Sequence, residues 1–117
     1  MTSISKQQTN WKTIRVAGVQ RMERVVAEFY VECSYIPSRY FRVKVTEDGN
    51  GQYIGRVNVS IKNAHQDAPE WVVGLGSSMD VALEDAIHRF IQSLEQSGKD
   101  QHQLTDADFE WAACEDF

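Results

Sequence analysis

Apolar and polar positions alternate most strictly across residues 40–61. Phe41, Val43 and Val45 alternate with Arg42, Lys44 and Thr46, and further on Val57, Val59 and Ile61 alternate with Arg56, Asn58 and Ser60. A period of two marks strands with one buried face. Between the runs, Asp48-Gly49-Asn50-Gly51 supplies residues that tolerate positive φ, as a short hairpin loop requires. With Asp48 facing Gln52, the register places the six apolar side chains on one face and Arg42, Lys44, Arg56, Asn58 and Ser60 on the opposite, wet face.

Upstream, residues 18–35 fit two templates. Ala27, Phe29, Val31, Cys33 and Tyr35 alternate with Glu28, Tyr30, Glu32 and Ser34, while Val19, Met22, Val26, Phe29, Tyr30 and Cys33 also fit helical spacing. Pairing Phe29, Val31 and Cys33 with Val45, Val43 and Phe41 would set Glu32 beside Arg42, and that union of opposite charges favours the strand. Trp71–Leu75 is short and apolar, and predicts a further strand. Met79–Gln96 predicts the main helix: Met79, Ala82, Leu83, Ala86, Ile87, Phe90, Ile91 and Leu94 form one stripe, Ser77 stands three residues before Asp80 as a cap, and Gly98 suits the left-handed end. Thr105 and Asp108, flanked by Leu104 and Phe109, predict a short tail helix.

These elements amount to an α+β fold, an antiparallel β-meander of three to four strands packed against one long C-terminal helix, plus a short acidic tail helix. Residues 1–10 read as a flexible N-terminus, 11–98 as a single domain and 99–117 as an acidic aromatic tail. A length of 117 residues with 42% hydrophobic content is that of one globular domain rather than a disordered chain. The start is polar, and nowhere do about 18 apolar residues run together, so the expected location is the cytoplasm and no membrane partner is expected.

Charge changes the picture more than composition does. Residues 1–66 hold ten Lys/Arg against five acids, hence +5, whereas residues 67–117 hold two against twelve, hence -10, which together make the net -5. A split of this kind describes either a basic surface shielded by an acidic tail or two differently solvated halves.

Reactive chemistry is sparse. Cys33 and Cys114 form no CxxC pair, and His65, His88 and His102 are scattered without HExxH or Cys/His grouping, so no metal ligand is expected. There is no GxSxG elbow, and the acids cluster where water would keep their pKa values ordinary. No catalytic residue and no cofactor site is expected, and an enzyme is not the expected class. Gly74-Leu-Gly76-Ser-Ser reads as an eased strand-to-helix turn, because Asp80, Glu84 and Asp85 would repel an anion there.

Two surfaces remain. Phe109, Trp111 and Phe117, with Asp108 and Glu110, make the tail a candidate protein-binding element, captured by a basic, apolar groove on a partner or docked on its own domain. Alternatively, Arg42, Lys44 and Arg56, with Tyr40 and Tyr30 near, could track a nucleic-acid backbone, although Glu28 and Glu32 partly neutralise that face. Trp11 and Trp71 read as core or core-edge aromatics. Self-association through a strand edge is a further expectation.

The hairpin Tyr40-Phe-Arg-Val-Lys-Val-Thr-Glu-Asp-Gly-Asn-Gly-Gln-Tyr53, followed by Gly74-Leu-Gly-Ser-Ser-Met-Asp-Val-Ala-Leu-Glu-Asp-Ala-Ile87, resembles the core of HicB-type antitoxins over residues 40–95. The same stretch is similar in order to double-stranded-RNA-binding domains, with Met79, Asp80 and Glu84 where those domains place lysines. The resemblance implies a β-β-β-α core and an antitoxin-like regulatory role.

Overall fold

The computed structural model describes residues 10–63 and 69–117, so residues 1–9 of the expected flexible N-terminus, and His65, lie outside the described residues. The chain runs β1 (Glu23–Glu32), β2 (Tyr40–Asp48), β3 (Tyr53–Val57), β4 (Val59–Ile61), β5 (Val73–Gly76), α1 (Met79–Glu95) and β6 (Phe109–Trp111), with a short 3-10 turn at Trp11–Thr13 before β1. Four strands form an antiparallel sheet in the order β1-β2-β3-β5, and β4 pairs with β6 in a second, two-stranded sheet. The architecture is α+β, as the patterning predicts.

The hairpin register is the expected one. Val43 faces Val57, Lys44 faces Arg56, and the Asp48 N–H donates to Gln52 O at 2.9 Å. The upstream segment is a strand, not a helix, but its register is two residues away from the expected one. Phe29 faces Val43 and Val31 faces Phe41, so Arg42 lies opposite Tyr30 rather than Glu32. The shift keeps Ala27, Phe29 and Val31 on the core face, which a one-residue slip would not, and Arg42 still finds an acid diagonally, with Glu28 Oε2 at 2.8 Å. A bulge between Val25 and Ala27 reverses the parity, so Glu23 and Val25 share the outer face with Glu28 and Tyr30.

Helix α1 covers the inner face. Ser78, rather than Ser77, is its N-cap, accepting from the Val81 N–H at 3.3 Å. Ala82, Ala86, Phe90 and Leu94 are fully buried and meet Phe41, Val43, Val45, Val57 and Val59 in one core, where the Phe41 and Phe90 rings lie 4.7 Å apart. After the helix, Gly98 takes φ +81°, the left-handed position expected of it. The small residues of the stripe have a specific use. A Cβ on Gly74 would stand 2.2 Å from Ala86 N, and one on Gly55 would stand 2.9 Å from Ala82 O, so the helix backbone rests almost directly on the sheet backbone. Gly74 is therefore a contact residue of β5 as well as part of the approach to the turn.

The tail forms no α-helix, against the expectation of a short acidic one. Asp108 Oδ2 does accept from the Thr105 N–H at 2.8 Å, as the capping pattern predicts. That cap leads only into a 3-10 turn at Asp106–Asp108, after which the chain is extended as β6, opposite β4. Phe109 explains the choice: at 5% exposure it is a core residue, and an open strand edge gives its backbone partners that an acid-rich isolated turn cannot match. The same pairing corrects the expected wet face at its far end. Asn58 and Ser60 are buried, Ser60 donating to Glu70 O at 2.8 Å.

Gly74→Ala should destabilise the domain by about 1–3 kcal/mol or more through overpacking, whereas Gly49→Ala, with nothing within 4 Å of the added methyl, should leave stability near wild type. Urea midpoints of the two variants decide it, and equal midpoints would show that the helix does not sit as described.

Candidate interaction surface on the outer sheet face

The basic residues singled out by the alternation do come together. Arg42 and Lys44 are neighbours on β2, and Arg56 stands opposite Lys44 on β3. None of the three is free. Arg56 holds Glu23 through Nη1–Oε1 at 3.0 Å and shares the Thr46 hydroxyl at 3.0 Å, while Thr46 itself donates to Glu23 at 2.7 Å. Arg42 pairs with Glu28, and its guanidinium lies 5.8 Å from the Tyr30 ring and 5.2 Å from the Phe117 ring. Lys44 Nζ lies 4.7 Å from the centre of the same Phe117 ring and donates to the Phe117 backbone oxygen. A nucleic-acid phosphate would have to displace a carboxylate, or Phe117, at each cation.

The tail therefore lies across the basic half of the molecule. Phe109 enters the core, Trp111 pairs with Val59 and stays 41% exposed, and Phe117 caps the two β2 cations. Asp108 accepts from Lys99 Nζ at 2.9 Å, and Glu110, opposite Ser60, is exposed. Of the five tail residues proposed from sequence, Phe109 and Asp108 anchor the segment, whereas Trp111, Glu110 and part of Phe117 face outward.

Sequence reasoning missed two participants. Asn58 joins the two sheets: its Oδ1 accepts from the Arg42 N–H at 2.7 Å, its N–H donates to Arg42 O at 3.0 Å, and its carbonyl accepts from the Ala112 N–H at 2.9 Å. A lone Asn within a run of valines and isoleucines was the available signal. Trp71 is the other. It is 44% exposed rather than core, and with Val73, Trp111, Arg56 and Phe117 it lines a groove of about 650 Å³ between β5 and the tail.

The N-terminal segment is tied to the hairpin end instead. Glu47, with a side chain only 6% exposed, accepts from Lys12 at 2.5 Å and Arg24 at 2.7 Å. Those two bonds hold its carboxyl below the usual carboxylate range. Partial burial pushes the Glu23 carboxyl up, but the Thr46 and Arg56 bonds outweigh it and the net shift is down. Asp48 is lowered by the Gln52 and Asn50 N–H groups, Asp85 by the Leu75 N–H and Arg89, and Asp108 by the Thr105 N–H and Lys99.

The remaining reactive residues are dispersed. His88 lies 4.0 Å from Glu84 on the exposed side of α1, His102 packs edge-on to Tyr35, and both cysteines are free. Among the described residues no cluster of three or more His, Cys, Asp or Glu could hold a metal, and no helix is long and apolar enough to cross a membrane.

No protein-family model, curated protein or solved structure matches the chain.

Two outcomes follow from this geometry. Asn58→Ala leaves the Arg42 N–H without its partner, and should cost about 1–3 kcal/mol in chemical denaturation; a cost under about 0.5 kcal/mol, the range of ordinary surface changes, would contradict the role given to it. All five shifted carboxyls are lowered in the folded chain, so the unfolded chain binds more protons as pH falls. Their stabilisation is complete above ordinary carboxylate values of about 4 and is lost as pH drops through the folded values. The melting temperature should thus fall between about pH 5 and pH 3, and a flat profile would contradict the pairing.

Proposed function

We propose that the chain is a non-catalytic regulatory or adaptor protein that binds another protein through the surface its acidic aromatic tail completes. The observation that carries this reading is the pair of half-exposed tryptophans, Trp71 and Trp111, facing one groove with exposed Val73 beside them. Tryptophan exposed around a concave apolar patch is the residue type that dominates binding hot spots. Arg56 and Phe117 at the same groove add a cation and a second ring, the mixture of apolar centre and charged margin that protein interfaces use.

The absence of a nucleophile-base or metal constellation from the sequence motifs supports a binding role over catalysis, and free Cys33 and Cys114 suit a reducing, cytoplasmic setting. The likeness of residues 40–95 to HicB-type antitoxins points toward the same regulatory class. Nucleic-acid binding by Arg42, Lys44 and Arg56 is the weaker alternative, because those cations already have partners; a strongly salt-dependent gel shift would reverse the order.

Affinity capture from native lysate tests the proposal. Trp71→Ala and Trp111→Ala should each weaken capture of the same protein by about 2 kcal/mol or more, while Glu84→Ala on the far side of α1 should not. Equal capture by all three folded variants would overturn it.

A further inference from the structure

We infer that β1 is a self-association edge, which pairs antiparallel with β1 of a second copy of this chain about a two-fold axis at Phe29. The surface is separate from the tryptophan groove, since β1 and β5 are opposite edges of the sheet.

The two edges are finished differently. β5 spans four residues, and Asp85 accepts its Leu75 N–H at 2.9 Å. β1 spans ten residues, and among the described residues its main chain makes no hydrogen bond except with β2. The Cys33 N–H donates to Arg39 O at 2.7 Å, which fixes the phase of the ladder. Val31, Phe29 and Ala27 therefore turn their backbone N–H and C=O groups toward β2, while Glu32, Tyr30 and Glu28 turn theirs outward. Outward-facing groups on a strand rich in Val, Phe and Tyr are a template for another strand.

The core face is unfinished at the same margin. Helix α1 packs on β2, β3 and β5 and reaches β1 least of the four strands. Phe41, Val43 and Val45 on β2 are at most 1% exposed, whereas their β1 neighbours Val31, Phe29 and Ala27 are only half-buried. A strand added beyond β1 continues the sheet and brings further apolar side chains against that margin.

The occupant is a second copy because β1 is complementary to itself in one register. Core face must continue into core face, so only registers that oppose residues of like parity are admissible. Placing Phe29 opposite Phe29 sets Ala27 against Val31 and Glu28 against Tyr30 on each side of the axis. The two rings then form a cross-strand aromatic pair, and Glu28 and Tyr30, whose polar groups already point outward, exchange both hydrogen bonds. The adjacent registers fail on charge. Centring on Glu28 opposes two copies of Glu28, and centring on Tyr30 opposes Glu28 to Glu32. Registers further out run into the bulge at Val25/Ala27 or overlap only residues 30–32. The bulge thus confines pairing to residues 27–31 and leaves the rest of the edge protected. A net -5 on each copy opposes association, and salt screens that repulsion, so the dimer tightens as ionic strength rises.

Sedimentation equilibrium of the full chain should show a monomer–dimer equilibrium. Tyr30→Lys sets unlike charges opposite Glu28 twice in the dimer, and Tyr30→Glu sets like charges there. The two dissociation constants should differ by about tenfold or more, with the lysine variant tighter. Within one chain the order is reversed, because residue 30 faces Arg42 and an intramolecular effect alone favours glutamate. Register is read with Phe29→Cys in a chain carrying Cys33→Ser and Cys114→Ser. Two cysteines facing each other across the axis should form an intermolecular disulfide with oxidised glutathione, whereas Val31→Cys in the same background, farther from its own copy, should not. A wild-type chain that stays monomeric up to about 1 mM overturns the inference. So does a dimer in which Tyr30→Glu binds as tightly as Tyr30→Lys, or crosslinking at residue 31 in preference to residue 29. Loss of the dimer on Trp71→Ala, with residue 30 without effect, moves the contact to the groove and overturns it as well.

Discussion

The contact on which the rest of the molecule depends is the one between α1 and two glycines. Ala82 and Ala86 bring the helix backbone against Gly55 and Gly74 so closely that no Cβ fits between them. This proximity lets Phe90 and Leu94, on the same stripe, reach the apolar side of β2 and β4 and exclude water completely. It also decides which face of the sheet is left for other purposes. With one helix spent on the inner face, the outer face, carrying Arg42, Lys44 and Arg56, has among the described residues no layer of its own except the tail.

That outer face is built from charges that neutralise one another locally. Glu23 and Glu28 on the edge strand meet Arg56 and Arg42, so the basic appearance of β2 and β3 in sequence is largely cancelled by β1 in space. Lys44 is met from the tail instead, by the ring and the main-chain oxygen of Phe117. Exposed ion pairs are worth little to stability, and their effect here is on which ligands the face admits. A polyanion meets cations that already have partners. At the sheet's two edges the polar backbone is managed differently. On β5, Asp85 accepts the Leu75 N–H at 2.9 Å while bound to Arg89, which occupies that edge with a helix side chain.

Much of the fold was legible because it obeys local rules. The alternation of Phe41 to Ile61 and the Asp48–Gly51 turn dictate a hairpin whose register has no close competitor. The stripe from Met79 to Leu94 is unambiguous for the same reason. What was not legible depended on partners far along the chain. The β1 pairing of Phe29 with Val43 depends on the connection between Glu32 and Tyr40, and the bulge at Val25/Ala27, which no propensity announces, changes only the pairing before Ala27. The tail pattern Leu104-Thr105-x-x-Asp108-Phe109 carries a real capping signal, and only the open edge of β4, more than forty residues upstream, makes Phe109–Trp111 a strand. Asn58 and Ser60 looked wet because alternation reports the face of a side chain and not what later covers it. The candidate site was half legible: its cations and tail aromatics were named, but as two rival surfaces, and Trp71 was read as a core or core-edge aromatic.

That the two surfaces are one follows from where the tail docks. The first half of the chain is net positive and the second strongly negative, and the second half ends by crossing the first. Yet the crossing is made by apolar and main-chain contacts: Phe109 in the core, three strand pairs with β4, and the Phe117 ring on two cations. The tail's free carboxylates remain turned to water. Packing and main-chain pairing, more than pairing of the tail's acids with the β2 and β3 cations, hold the segment on that face. A segment held in this way is sensitive to the loss of a single ring and indifferent to moderate salt, which separates it from a polyelectrolyte tail merely condensed on a basic surface.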